Sequence, residues 1–185
     1  MSKIYSNNQE LSNKLLEGVT TLAENVGATL GPKGRNVILQ KKGERPVITK
    51  DGVTVANSIT LRDPIENMGA TLLKEAARQT VKEAGDGTTT ATVLAHSILN
   101  EAYDASKTEN IRIIKDGIGT GVEKVIKYLE RKSIEVSGDM LKDIATISCN
   151  NERDLGEIIG DAFEAVGENG VVMMEPTDVE ETSFE

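Results

Sequence analysis

One pattern dominates this chain: apolar residues recur at spacings of three and four, in stretches too long for strands. From about Gln9 to Leu30 the series Leu11, Leu15, Leu16, Val19, Leu22, Val26 and Leu30 lies on one side of a helix. Gly31-Pro32-Lys33-Gly34 breaks it, since proline lacks an N–H donor and glycine favours non-helical dihedrals. A second stripe follows the helix-start signal Asp63-Pro64-Ile65-Glu66, where Asp63 caps, Pro64 takes the first position and Glu66 completes a capping box. It comprises Ile65, Met68, Leu72, Leu73, Ala76 and Val81, and ends at Gly85-Asp86-Gly87. A third begins in Thr88-Thr89-Thr90 and continues through Val93, Leu94, Ile98 and Leu99.

A fourth helix, about Asn110 to Arg131, aligns Ile114, Ile118, Val122, Val125, Ile126 and Leu129. Gly117, Gly119 and Gly121 each weaken it by about 1 kcal/mol relative to alanine, so a closely approaching helix is expected there. Shorter helices are expected over about Asp139–Ile147 and Glu152–Val166, then a strand over Gly170–Met174. β-type runs occur at Asn36–Gln40 and Pro46–Thr49, separated by the polar Lys41-Lys42-Gly43-Glu44-Arg45, which predicts a β-hairpin. The fold class is therefore mainly α, with a small β component. With 3% aromatics and no tryptophan, its core must be built from Ala, Val, Ile and Leu.

Composition excludes several functions. Cys149 is the only cysteine and His96 the only histidine, which rules out an internal disulfide and any Cys- or His-rich metal centre. Core filling is expected of Cys149, and a packed or surface position of His96. The net charge of −9 argues against nucleic acid as a main partner. Residues 151–185 hold 11 acids and one base, which marks a change of region near residue 150 and a solvated acidic face. No apolar run approaches the roughly 20 residues of a membrane span. The amino terminus shows no signal-peptide core, so a cytoplasmic location is expected.

Three segments carry chemistry. Gly85-Asp86-Gly87-Thr88-Thr89-Thr90 sits between two apolar helices. Glycines admit a ligand close to the backbone, and a helix start offers unpaired N–H groups with partial positive charge, which together make a phosphate cradle. The threonine hydroxyls add donors, and Asp86 offers a hard oxygen to Mg²⁺. The same residues also fit an ordinary glycine turn with a threonine-rich helix start. Thr29-Leu30-Gly31-Pro32-Lys33-Gly34-Arg35-Asn36 fits a nucleotide-wrapping loop or a plain helix-to-strand turn. Thr49-Lys50-Asp51-Gly52 places an acid before a short helix, Gly52–Ser58, where N-capping is the simpler role. Taken together, two acids, a hydroxyl cluster and two glycine-rich turns make a Mg-nucleotide set.

The strings TLGPKGRNV (Thr29–Val37), ITKDGVTVA (Ile48–Ala56), ENMGA (Glu66–Ala70), AGDGTTTATVLA (Ala84–Ala95) and ATISCNNE (Ala145–Glu152) resemble the group I, GroEL-type chaperonin subunits, in that family's order and near its spacing. Group II chaperonins share GDGTTT, but ITKDGV and ENMGA are more similar to group I. The resemblance implies an equatorial-domain helical bundle with a β-hairpin, first segment at 1–131, followed by the first intermediate-domain segment at 132–185. It implies that Thr29, Leu30, Gly31 and Pro32 line an ATP pocket beside Lys50. Thr29 and Lys50 would offer oxygens to K⁺, and Asp86 would hold Mg²⁺. Gly87, Thr88, Thr89 and Thr90 would hold phosphates, and Asp51 would help position the attacking water. Ser148 and Asn150 would approach the nucleotide from the domain junction. The hairpin resembles the one that pairs with a neighbouring subunit in the ring.

A subunit of that family is far longer than 185 residues. On the resemblance, this chain lacks the apical domain, the second intermediate segment with the principal catalytic aspartate, and the second equatorial segment. The expected function is ATP-dependent assistance of protein folding by a truncated or split subunit, with other chaperonin subunits and unfolded proteins as partners. A co-chaperonin lid is expected only where an apical domain is supplied elsewhere. The alternative is a fragment that joins full-length subunits or holds clients without ATP turnover.

Overall fold

The computed structural model describes residues 8–40, 43, 45–149, 151–167 and 170–175. It is mainly helical, with one two-stranded antiparallel sheet. The chain divides into two compact units, 1–120 and 121–185.

In the first unit, α1 (Asn8–Gly27) lies antiparallel to α4 (Thr88–Ala105). The Tyr103 hydroxyl donates to Asn13 (3.0 Å), Thr20 meets His96 (3.1 Å), and Gly27 abuts Val93. α1 stops one turn before Leu30, because Thr29 and Leu30 turn back to donate to the Val26 and Gly27 carbonyls; Leu30 is exposed rather than part of the stripe. α3 (Pro64–Ala84) starts as its cap predicts: Asp63 accepts from the N–H groups of Ile65 (2.8 Å) and Glu66 (3.3 Å).

The buried face of α3 differs from expectation. Gly69, Ala70, Leu73 and Ala77 face inward, while Met68 and Leu72 are exposed. The cause is the closeness of α1. A Cβ at Gly69 would stand 2.1 Å from the Leu15 carbonyl oxygen, and one at Gly18 1.8 Å from that of Glu66. Backbones this near leave room only for small side chains. The core joins Val19, Leu22, Ala23 and Val26 of α1 to Val55 and Ala56 of α2 (Gly52–Ser58) and to Ala70 and Leu73 of α3. Removing a fully buried side chain such as Leu22 from such a core costs about 2–5 kcal/mol.

β1 (Val37–Leu39) pairs with β2 (Val47–Thr49) in the register Val37↔Thr49, Ile38↔Ile48, Leu39↔Val47. Both strands are shorter than expected. Val37 packs on the core, whereas Ile38 and Ile48 pair on an exposed face. Of the connecting turn, Lys41, Lys42 and Glu44 lie outside the described residues.

α5 (Ile111–Lys132) forms as predicted, but it buries none of its residues. Nothing lies within 4 Å of a Cβ built on Gly117, Gly119 or Gly121, so the expected close neighbour is not found among the described residues. In the second unit, α6 (Met140–Ser148) and α7 (Arg153–Val166) pack through Gly156 against Thr146 and Gly160 against Lys142, and the Lys142 ammonium pairs with Asp161 (2.5 Å). Cys149 is half-buried and ends α6. Residues 170–175 form no strand, a correction to the expectation: among the described residues no second strand pairs with this run. The acidic stretch 176–185 lies outside the described residues.

Candidate functional site

Gly85, Asp86 and Gly87 alone connect α3 to α4. Gly85 (φ 76°) ends α3 and Gly87 (φ 86°) starts α4, both left-handed, a conformation that glycine adopts without a Cβ penalty. Gly87 has no side chain to cap the helix. The first intrahelical bond runs from the Ala91 N–H to the Gly87 carbonyl (2.9 Å), so the N–H groups of Thr88, Thr89 and Thr90 precede the ladder. The Asp86 carboxylate is exposed, with Oδ1 accepting from the Gly87 N–H.

The three threonines have different surroundings. Thr88 is buried and its carbonyl accepts from the Thr92 hydroxyl (2.8 Å); Thr89 is half-buried; Thr90 is exposed. Thr89 is turned toward α2: a Cβ on Gly52 would lie 2.0 Å from its Oγ1. Val26 of α1 meets the same spot at 3.3 Å. Residues 51–52, the start of α4 and the end of α1 are thereby brought together.

Asp51 caps α2, the simpler of its two expected roles. Oδ2 accepts from the Thr54 N–H (2.8 Å) and the Thr54 hydroxyl (2.6 Å), and Oδ1 from the Val53 N–H (3.2 Å). Partial burial pushes its pKa up, but these three donors outweigh burial and hold it below the ordinary value. Lys50 is exposed.

The Thr29–Gly34 loop leaves the end of α1 and folds on itself. Gly34 donates to Gly31 (2.8 Å), Arg35 donates to Ala28 (2.8 Å), and a Cβ at Gly34 would strike the Thr29 carbonyl oxygen at 2.2 Å. Gly31 takes φ 73°. Leu30, Gly31 and Pro32 are exposed, and Thr29 is half-buried. Ser148, exposed at the end of α6, belongs to the second unit, and Asn150 lies outside the described residues. Sequence reasoning placed Gly52 in its segment without a packing role, and missed Thr54 as a partner of Asp51. A glycine at the first position of a helix, where any residue fits the dihedrals, was the available signal.

A cavity of about 120 Å³ adjoins the site between α2, α3 and α4, lined by Gly52, Ala56, Lys74, Ala77, Thr88 and Thr92 among others. Lys74 donates to the Ile59 carbonyl; burial, then the Arg78 charge, pushes its pKa down. Among the described residues no group of three His, Cys, Asp or Glu converges to hold a metal alone.

The TCP-1/cpn60 chaperonin family profile matches residues 22–184. This chain belongs to that family. Among solved structures, the chaperonin gp146 from bacteriophage EL 2 (Pseudomonas aeruginosa), crystallised with ATP-BeFx, aligns with TM-score 0.75 and 27% identity over 88% of this chain. A second crystal form of gp146 gives TM-score 0.75 and 28% identity over 85%. A group III chaperonin in the open state gives TM-score 0.71 and 27% identity over 85%. The chain spans 29%, 28% and 32% of those chains, respectively. Its mainly helical fold with one small antiparallel sheet is consistent with a chaperonin equatorial domain. Among the described residues, no helix is long and apolar enough to cross a membrane.

Proposed function

We propose that this chain forms the phosphate-binding part of an ATP-dependent, protein-folding chaperonin of group I type. The observation that carries it is the start of α4: three N–H groups without intrahelical partners, entered through Gly85 and Gly87, with the Asp86 carboxylate exposed beside them. That donor set fits phosphate oxygens and one hard cation. Residues 1–131 serve as the first equatorial segment and 132–185 as the first intermediate segment.

In this proposal the N–H groups of Thr88, Thr89 and Thr90 bind the phosphates, with hydroxyls of the same turn. Asp86 would supply a carboxylate to Mg²⁺, a hard cation suited to bridging phosphates. The Thr29–Pro32 loop would line the nucleotide beside Lys50, and Thr29 and Lys50 would offer oxygens to K⁺. On the resemblance, Ser148 and Asn150 would also approach the nucleotide. Bound Mg-ATP supplies the phosphoryl chemistry that drives conformational change in a ring of chaperonin subunits acting on unfolded proteins. Asp51, held anionic by its three donors, is a poor proton acceptor at neutral pH and instead orients water by accepting its hydrogen bond. The site of action is the cytoplasm.

A second mode has its own support. Met68, Leu72, Leu94, Ile98 and Leu99 are exposed, as is most of the α5 stripe, and such surface favours association with chaperonin subunits or apolar clients without ATP.

Titration calorimetry on the full chain tests the first proposal. Mg-ATP binds the wild type, and EDTA or Asp86→Ala abolishes binding while the circular dichroism spectrum is unchanged. A folded wild type that takes up no Mg-ATP contradicts it.

A further inference from the structure

Gly52 has no role of its own in the proposed nucleotide site, yet it is where α1, α2 and α4 meet. It is buried at the first position of α2 and its φ is not positive, so the demand is for space, not for a glycine dihedral. By helix propensity alone alanine would be the better residue there. Space forbids it. An added Cβ would meet Thr89 Oγ1 at 2.0 Å, Thr89 Cβ at 3.2 Å and Val26 Cγ1 at 3.3 Å. The contact with Oγ1 is the severe one, and the other two need shifts of only a few tenths of an ångström.

Thr89 Oγ1 is seated over the α2 backbone and forms no hydrogen bond among the described residues. Its place is set by packing alone, while its own N–H belongs to the open first turn of α4. On the other side of Gly52, Asp51 is fixed to the same turn of α2 by Val53 and Thr54, whose N–H and hydroxyl groups lie 2.6–3.2 Å from its carboxylate oxygens.

We infer that Gly52 and Thr89 are positioning residues, whose van der Waals contact sets the Asp51 carboxylate against the first turn of α4, so that displacing either moves the other. This inference rests on the nucleotide site proposed above for its role, but not for its existence. Where phosphate binds the α4 turn, the contact carries that turn's position to the water-orienting carboxylate. Thr89 then has two duties, and a side chain lost there affects both.

A double-mutant cycle on the full chain, with Gly52→Ala, Thr89→Ala and the pair, tests the inference twice. In nucleotide-free protein, amide NMR should show Gly52→Ala moving the Thr88–Thr90 resonances and Thr89→Ala moving those of Asp51–Thr54. The pair should return the Thr88–Thr90 resonances to their Thr89→Ala positions. In calorimetry, Gly52→Ala should weaken Mg-ATP binding about tenfold, and the pair should bind no worse than Thr89→Ala alone.

Losses that multiply in the pair, or Asp51–Thr54 amides unmoved by Thr89→Ala, overturn the inference. A Gly52→Ala protein that fails to fold leaves the Thr89→Ala amides to decide. A wild type without nucleotide affinity sinks the proposed function, and the nucleotide-free NMR cycle then still decides whether the contact couples the two turns.

Discussion

Asp63 and Asp51 do the same local work with different partners, and each yields a prediction. Asp63 caps α3 and also accepts from the Lys14 ammonium at 2.7 Å, tying the start of α3 to the middle of α1. The Lys14 bond, then the Ile65 N–H, holds its carboxyl below the ordinary value of 3.8. A depressed carboxyl contributes stability that is present above the unfolded value and lost as pH falls through the folded one. The thermal midpoint should therefore fall as pH drops below 3.8. Asp63→Asn, which keeps a capping side chain but no charge, should lower the midpoint at neutral pH and flatten that acid limb. A limb as steep as wild type would mean that other carboxylates govern it. For Asp51, Thr54→Val removes one of the three donors that offset burial, so its carboxyl pKa should rise in a carbon-13 NMR titration. No change would mean that the two N–H groups suffice. Both caps were legible in the sequence, since an acid just before a helix announces itself. Gly52 was not legible as a packing position, because nothing in the local string tells a space requirement from a dihedral one.

Periodicity found the four long helices, α1, α3, α4 and α5, while α2 was read from the acid that precedes it. Periodicity failed on which face α3 buries. The large residues Met68 and Leu72 suggested a face, but Gly18 and Gly69 draw the α1 and α3 backbones together and give the interface to small residues instead. A preference for large apolar side chains misreads an interface built on close approach. In α5 the pattern is unmistakable and the partner is missing, since no residue of it is buried among the described ones. Replacing Ile118 and Val125 by lysine should change the unfolding free energy by no more than about 0.5 kcal/mol, as for ordinary surface positions, while reducing binding of an apolar dye. A loss of several kcal/mol in urea unfolding would show that this face is covered.

At the scale of the whole molecule, the order of five short strings was enough to identify the family, and the family profile covers residues 22–184. The assembly of the site was less legible. The strings of residues 48–52 and 84–90 are far apart in the chain, and only the folded contacts of Gly52, Thr89 and Val26 show that they meet beside α1.

Native mass spectrometry of the full chain, with and without Mg-ATP, tests the central claim most directly. The account predicts an assembly, or at least a folded chain, that retains nucleotide only when Mg²⁺ is present. A monomer or irregular aggregate carrying no nucleotide in either condition would contradict it, leaving the motifs as marks of ancestry without present activity.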